Sequence, residues 1–312
     1  MLSSQPTPSR FQRYLRSFHF GRTWQCYLML LIPVVLTFIF SYIPLYGLVI
    51  AFEDYNPGKG FFHSDFVGLY WFRMVMKMPD FPLLIRNTIV ISLGKIIFTQ
   101  LMSVLFALLI NEVRKPLLKS TVQTITYFPH FLSWVIIAGV FTDMLSTKGL
   151  INQFIKALGG KPIFFLGNNQ WFQPMMVILE VWKEFGYGAI IYLSALTSIN
   201  PELYEAARID GAGRISQTWY VTLPGIATMI VMMLTLAMGG ILNAGFDQIF
   251  MLYNPAVYKT GDILDTFIYR QGLIDAQYSL STAIGLFKSV IGAFLLITVN
   301  VIATKKFDYR VF

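Results

Sequence analysis

Glu180, Lys183, Glu184 and Tyr187 are spaced i, i+3, i+4 and i+7, so on a helix they share one stripe. They stand in an otherwise apolar run at 171–196, with Trp182 among them. Ionisable groups in such a run are costly in a bilayer and commonly face a bundle interior or a wet cavity. Two chemistries fit. In one, Glu180, Lys183 and Glu184 neutralise one another as an ion-pair ladder that only fixes helix packing. In the other they form the polar wall of a solute path, with Tyr187 and Trp182 as aromatic surfaces beside it. Carboxylates and amides accept hydrogen bonds from hydroxyls, and aromatic faces suit apolar C–H surfaces. Lys95 and Lys288 are further cations in apolar runs. Partnering a carboxylate or snorkelling accounts for each of them before attraction of a solute does.

A second polar island, Tyr204-Glu205-Ala206-Ala207-Arg208-Ile209-Asp210-Gly211-Ala212-Gly213, separates two long apolar runs and is closed by Leu223-Pro224. Asn200 followed by Pro201 reads as a helix start, a side-chain cap and then proline at the first helical position. Gly211 and Gly213 can stop that helix, because glycine reaches the left-handed conformation at little cost. A second short helix over 214–222 follows before Pro224 redirects the chain. An ordinary loop is the plain reading. A knob of small residues ringed by charge also suits docking into a partner's groove.

No catalytic constellation accompanies these groups. The sequence has no Gly-x-x-x-x-Gly-Lys-Ser/Thr phosphate loop, no Gly-x-Ser-x-Gly elbow and no His-Glu-x-x-His. His19, His63 and His130 are scattered, and Cys26 is the single cysteine, which excludes an intrachain disulfide and a cysteine metal cluster. Structural roles are expected for all three histidines.

The elements that position these residues are membrane helices. The 312 residues are 55% hydrophobic and 13% charged, about half the charged share of a soluble domain. Six apolar runs reach the ~20 residues a bilayer requires: 26–52, 88–110, 122–144, 171–196, 223–246 and 282–304. The first is too long for a signal-peptide core and lacks a small-residue cleavage site, so it is kept as a helix. With the N-terminus inside, Arg10, Arg13, Arg16, Arg22, Arg114, Lys115, Lys119, Arg208, Arg214, Lys305, Lys306 and Arg310 fall on the inner side. The outer loops carry fewer basic groups, which places both termini and the 204–213 island in the cytoplasm. The net charge of +8 thus serves orientation rather than nucleic acid. Arg10–Arg22, interleaved with Phe11, Tyr14, Phe18 and Phe20, fits an interfacial segment drawn to anionic lipid. Pro33, Pro44 and Pro129 interrupt helices. In the last outer loop, Ile263, Leu264, Phe267 and Ile268 lie along one side of a helix expected near Asp262, a cover for the mouth of the bundle.

Glu205-Ala206-Ala207, three residues, Gly211 and then Leu223-Pro224 resemble the EAA loop of permease subunits in binding-protein-dependent ABC importers. The fuller form, Tyr204 to Ala212, looks like the carbohydrate branch. Tyr42-Ile43-Pro44-Leu45-Tyr46-Gly47, Tyr127-Phe128-Pro129-His130-Phe131 and Leu252-Tyr253-Asn254-Pro255 resemble its polysaccharide-type members. The resemblance implies an all-α integral membrane fold of type I importers. It is laid out as a basic tail 1–25, a six-helix domain 26–304 with a coupling loop 197–222, and a C-terminal tail 305–312. It implies that Tyr204, Glu205, Ala206, Ala207, Arg208, Asp210, Gly211 and Ala212 contact an ATPase. Glu180, Trp182, Lys183, Glu184 and Tyr187, with Asn243 after the loop, would line the path of a sugar. Partners implied are a second, different permease, two ATPase subunits that bind ATP and Mg, a solute-binding protein, membrane lipid and an oligosaccharide. The last outer loop resembles the family's external scoop, which would contact the binding protein. The chain itself would bind no cofactor and be no enzyme, and its place would be the bacterial cytoplasmic membrane. The rival is an ion-gradient-driven secondary sugar transporter, with Glu180, Lys183 and Glu184 carrying protons. Six helices without a visible inverted repeat are few for that class, and the EAA-like loop has no purpose there.

Overall fold

The computed structural model describes residues 20–61 and 63–307. Arg10, Arg13, Arg16, Phe11, Tyr14, Phe18, His19 and Arg310 lie outside the described residues, so the interfacial reading of the basic tail falls there too. The chain divides into two compact units, residues 1–50 and 51–312.

In the first unit, α1 (Phe20–Thr37) contains Pro33 and passes into a π-helical turn, Phe38–Tyr42. A 3-10 stretch, Ile43–Phe52, follows and contains Pro44, whose missing N–H a regular α-helix would need.

The second unit opens with a two-residue antiparallel pair, β1 (Glu53–Asp54) with β2 (Asp65–Phe66), in register Glu53↔Phe66. After α2 (Tyr70–Lys77) come α3 (Phe81–Asn111), α4 (Pro116–Tyr127), α5 (Trp134–Leu145), α6 (Leu150–Ala157) and α7 (Phe172–Thr197). Then follow α8 (Pro201–Ile209), α9 (Arg214–Gln217), α10 (Leu223–Gly239), α11 (Phe246–Leu252), α12 (Tyr258–Gly261), α13 (Leu264–Tyr269) and α14 (Tyr278–Phe307). Among the described residues, five helical runs are long and apolar enough to cross a membrane: Trp24–Phe52, Phe81–Asn111, Trp134–Ala157, Arg214–Gly239 and Tyr278–Val301. At 26 residues α7 has the length as well, but it carries the three charges of the polar stripe.

Three expected boundaries shift. The run 122–144 is not one helix. Pro129 sits in a 3-10 turn, Phe128–Phe131, and Ser133 restarts the chain as a cap, accepting a bond from the Ile136 N–H. Pro224 does not redirect the chain either. A π-helical turn, Thr218–Thr222, accommodates it, and helix runs on from Arg214 to Gly239. The run expected to reach 246 instead ends at Gly239, and Gly245 at φ +87 turns the chain into α11.

The core is organised around α3 and α7, which pack along their lengths. Gly186 lets α7 close on the last turn of α4, where a Cβ would run into the Thr126 carbonyl oxygen. Phe172, Met176, Ile249 and Ile263 form one buried cluster, and Leu84, Leu264, Leu280 and Ile284 another. A third joins Ala107, Tyr192 and Ile226.

The segment after α11 is fastened to the ends of α3 and α7 by side-chain amides. Asn87 donates to the carbonyls of Lys259 (3.2 Å) and Asp262 (3.0 Å), and Gln173 donates to that of Thr260 (2.9 Å). The helix expected near Asp262 is α13. Rather than lying on the surface, it buries Ile263, Leu264 and Phe267. Arg270 pairs with Asp262 and stacks over Tyr258, 4.6 Å from its ring centroid. Burial pulls the Arg270 pKa down, but the hydrogen bond and charge of Asp262 more than offset this and hold it above its ordinary value. Burial pushes the Tyr253 hydroxyl up, aided by Tyr258.

Candidate functional site

A cavity of about 500 Å³ lies between α3, α7 and the end of α10. From α3 it receives Ser92, Lys95, Thr99, Gln100 and Ser103, polar residues at helical spacing along one face. From α7 it receives Glu180, Glu184, Tyr187 and Gly188, and from the break before α5 it receives His130. Met233, Ala237, Gly240, Asn243, Ala244 and Gly245 close the remaining side.

The charges of this wall are paired, one pair across helices and one within α7. Lys95 Nζ lies 3.4 Å from Glu180 Oε2 and donates to the Ala244 carbonyl at 2.6 Å. Lys183 Nζ donates to Glu184 Oε1 and to the His130 carbonyl, each at 2.8 Å. The freed carbonyl of the helix break thus finds its partner in α7. His130 Nδ1 stands 2.7 Å from Glu184 Oε2, and its ring stacks on Tyr187 with centroids 3.8 Å apart and planes at 1°. Ser92 Oγ and Thr99 Oγ1 are buried with no hydrogen-bond partner among the described residues.

The stripe expected on α7 is thereby divided. Glu180, Glu184 and Tyr187 meet Asn243 at one cavity. Lys183 is buried behind them, and its carboxylate partner is Glu184. The ladder from Glu180 to Lys183 is not formed, because Lys95 takes Glu180. Trp182 points elsewhere. It lines an apolar hollow with Val90, Phe98 and Phe185 and packs edge-on against Phe141, centroids 5.2 Å apart. Lys288 pairs with Asp265 at 2.5 Å beside Asn243, in a smaller cavity of about 320 Å³.

Lys95 and His130 are the cavity residues that sequence reasoning left in structural roles. A signal for Lys95 existed, since Ser92, Lys95, Thr99, Gln100 and Ser103 form a polar face on an apolar helix. None existed for His130, which a broken helix carries to α7.

The polar island forms α8 and its cap. Asn200 Oδ1 accepts from the Glu202 N–H at 3.1 Å, and Pro201 occupies the first turn. At the other end Gly211 adopts φ +78, with Gly211 N bonded to Arg208 O and Ala212 N to Ala207 O at 2.8 Å. This paired closure is the Schellman arrangement. Gly213, at φ −71, does not stop α8 but caps α9. Glu205, Ala206, Arg208 and Asp210 are exposed around this short helix, together with Leu203 and Ile209. Tyr204 turns inward, and its hydroxyl meets Thr222 Oγ1 at 3.0 Å.

Residues 100–307 match the family described as binding-protein-dependent transport system inner membrane component. The chain is 44% identical over 282 residues to protein LplB of Bacillus subtilis (strain 168), covering 90% of this chain and 88% of LplB. It is 43% identical over 281 residues to the polygalacturonan/rhamnogalacturonan transport system permease protein YteP of the same organism, covering 89% and 87%. Among solved structures, one chain superposes with a TM-score of 0.85 at 36% identity, covering 94% of this chain and 99% of that one. It comes from a bacterial ABC transporter involved in the import of the acidic polysaccharide alginate. A second, at TM-score 0.83 and 37% identity, covers 92% and 96% and comes from the bacterial alginate ABC transporter in complex with an alginate pentasaccharide-bound periplasmic protein. A motif at 204–213, a helical membrane fold and these matches agree: the chain belongs to the binding-protein-dependent inner membrane components, as a permease subunit of an ABC importer whose ATPase is a separate subunit.

Proposed function

We propose that this chain moves an oligosaccharide or polysaccharide fragment across a bacterial cytoplasmic membrane by alternating access. α7 is the sixth crossing, its charges turned to the cavity, and both termini are cytoplasmic. Glu180, Glu184, Tyr187 and Asn243 line the path, with Lys183 holding the wall from behind. The name of YteP, from a polygalacturonan/rhamnogalacturonan transport system, and the alginate importers among the solved structures support a saccharide as cargo. A second, different permease completes the membrane core. Two ATPase subunits bind ATP and Mg, and a solute-binding protein delivers the cargo from outside.

The observation that carries this reading is the uninterrupted helical run Arg214–Gly239. One end is tied to α8 through Tyr204 and Thr222, and the other walls the cavity at Met233 and Ala237. With α8 seated in a groove of an ATPase subunit, ATP-driven closure pulls on a rod whose far end borders the cargo. Glu205, Arg208 and the apolar Leu203 and Ile209 are the contact surface, and Gly211 with Ala212 fixes its angle.

The test is purification of the complete transporter with its cargo and identification of the co-bound molecule by mass spectrometry. Hexose or hexuronate oligomers are expected, together with ATP-dependent uptake of them into vesicles. Uptake driven by an ion gradient without ATP would overturn the reading.

A further inference from the structure

The cavity wall has an unused contact, and it belongs to His130. Its ring is held on three sides: Tyr187 covers one face, Phe131 lies edge-on at 5.3 Å, and Nδ1 is engaged by Glu184 at 2.7 Å. Glu184 is itself neutralised by Lys183, so it serves as an acceptor that keeps a proton on Nδ1. No group among the described residues bonds Nε2, and His130 lines the cavity. In the same cavity lining, Ser92 Oγ and Thr99 Oγ1 are buried and have no partner among the described residues, the signature of a wall built for a polar occupant.

The charges facing His130 cancel. Glu184 and Lys183 on α7 form one pair, and Glu180 on α7 with Lys95 on α3 forms another. Tyr187 contributes a ring face, and the other lining residues of the cavity are uncharged. A proton on Nε2 therefore takes the wall from neutral to positive. Histidine is the side chain whose ordinary protonation range overlaps physiological pH.

We infer that His130 Nε2 is a saccharide contact that sets discrimination by charge: neutral, it accepts from a sugar hydroxyl, and protonated, it donates to a uronate carboxylate. This rests on the reading of the cavity as the transport path.

The experiment uses the complete transporter in proteoliposomes, with a galacturonate trisaccharide and its neutral galactose counterpart as probes, at about pH 6 and about pH 8. The uronates stay ionised at both. Uptake of the acidic probe is expected to rise roughly tenfold toward the lower pH, the worth of one charge-assisted hydrogen bond, and the neutral probe to stay level. His130→Gln places an amide where Nε2 stands but does not titrate, so the pH slope should vanish while the neutral probe is still carried. His130→Asn keeps the bond to Glu184 and loses the contact, so uptake of both probes should fall with complex yield unchanged. A level wild-type profile, or an unchanged slope in His130→Gln, overturns the inference. Asn243→Ala separates it from its foundation. If that variant changes the saccharide profile and His130→Gln does not, only the His130 assignment fails. If neither changes it, the cavity is not the path and the underlying reading fails as well.

Discussion

The Tyr204 hydroxyl and Thr222 Oγ1 stand 3.0 Å apart, joining the first turn of α8 to the residue at which α10 is about to begin. Thr222 is buried and also bonds the Gln217 carbonyl, while the Gln217 amide donates to the Ala212 carbonyl at 2.8 Å. Two strands of hydrogen bonding therefore brace α8, one at its front and one just beyond its glycine stop. Motion of α8 reaches α10 without a slack joint.

Removing either hydroxyl should loosen that joint. Tyr204→Phe deletes the shared hydrogen bond, worth about 1 kcal/mol, and Thr222→Val deletes it together with the bond to the Gln217 carbonyl. The expected result is continued ATP hydrolysis with less saccharide moved per ATP, and a double variant no worse than Thr222→Val alone. Parallel measurement of phosphate release and uptake in proteoliposomes checks this. Additive losses would mean that the two groups act separately.

The outer surface of α8 makes a different prediction. Glu205→Lys reverses a charge on an exposed side chain with no packing role, so membrane abundance should be unchanged while cargo-stimulated ATP hydrolysis is lost. Gly211→Val forces a β-branched residue into a left-handed backbone at φ +78, costing roughly 1–2 kcal/mol. It should tilt the cap and weaken coupling without removing the contact residues. Co-purification with the ATPase subunit distinguishes them: lost for Glu205→Lys, weakened for Gly211→Val.

How much was legible in the sequence depended on how local each device is. Asn200, Pro201 and Gly211 act on their own neighbours, and the helix between them formed where their chemistry placed it. Gly211 and Gly213 are equivalent by residue type; only the bonds closing on Ala207 and Arg208 select the first for φ > 0. Glu180 and Lys183 sit at a favourable i, i+3 spacing, yet Lys183 is drawn to a carbonyl that the Pro129 break leaves without a helical partner. Periodicity within one helix cannot foresee an acceptor on another. Trp182 is different: two positions from Glu180, it lies off the stripe by helical periodicity alone, and the structure turns it to an apolar hollow rather than to the path.

Topology gives a prediction independent of cargo. In a Cys26→Ser background, a cysteine replacing Ala212 should be shielded from an impermeant thiol reagent in intact cells, while one replacing the exposed Lys259 should react. Labelling of position 212 from outside would reverse the orientation and remove the ATPase from α8.

Tyr187 has one ring face against His130, so it offers at most the other to a sugar. Tyr187→Phe keeps the ring and should retain most uptake. Tyr187→Ala should weaken cargo-stimulated ATP hydrolysis by about 1 kcal/mol in apparent affinity, the scale of an aromatic contact. Equal behaviour of the two variants would take the ring out of the path.

Lys95 is the strongest structural demand in the cavity wall, since one buried ammonium serves Glu180 and the carbonyl that α10 leaves behind at Ala244. Lys95→Met leaves that carboxylate and that carbonyl unpaired together. Breaking a buried pair from one side costs about 3–5 kcal/mol, whereas removing both charges is often close to neutral. Complex yield should therefore collapse in Lys95→Met and recover in the Lys95→Met, Glu180→Gln double variant. Gly245→Ala should resemble the single variant, because its Cβ would stand 2.7 Å from Lys95 Nζ on a backbone at φ +87. Detergent-solubilised yield and thermal unfolding of the purified complex read all three. If the double variant assembles yet no longer transports, the pair is part of the path as well as its scaffold. If it transports normally, Lys95 and Glu180 hold the unwound segment 240–245 in place and the cargo is read by His130, Glu184, Tyr187 and Asn243. No recovery in the double variant would mean that Ala244, not Glu180, is the partner on which the ammonium depends.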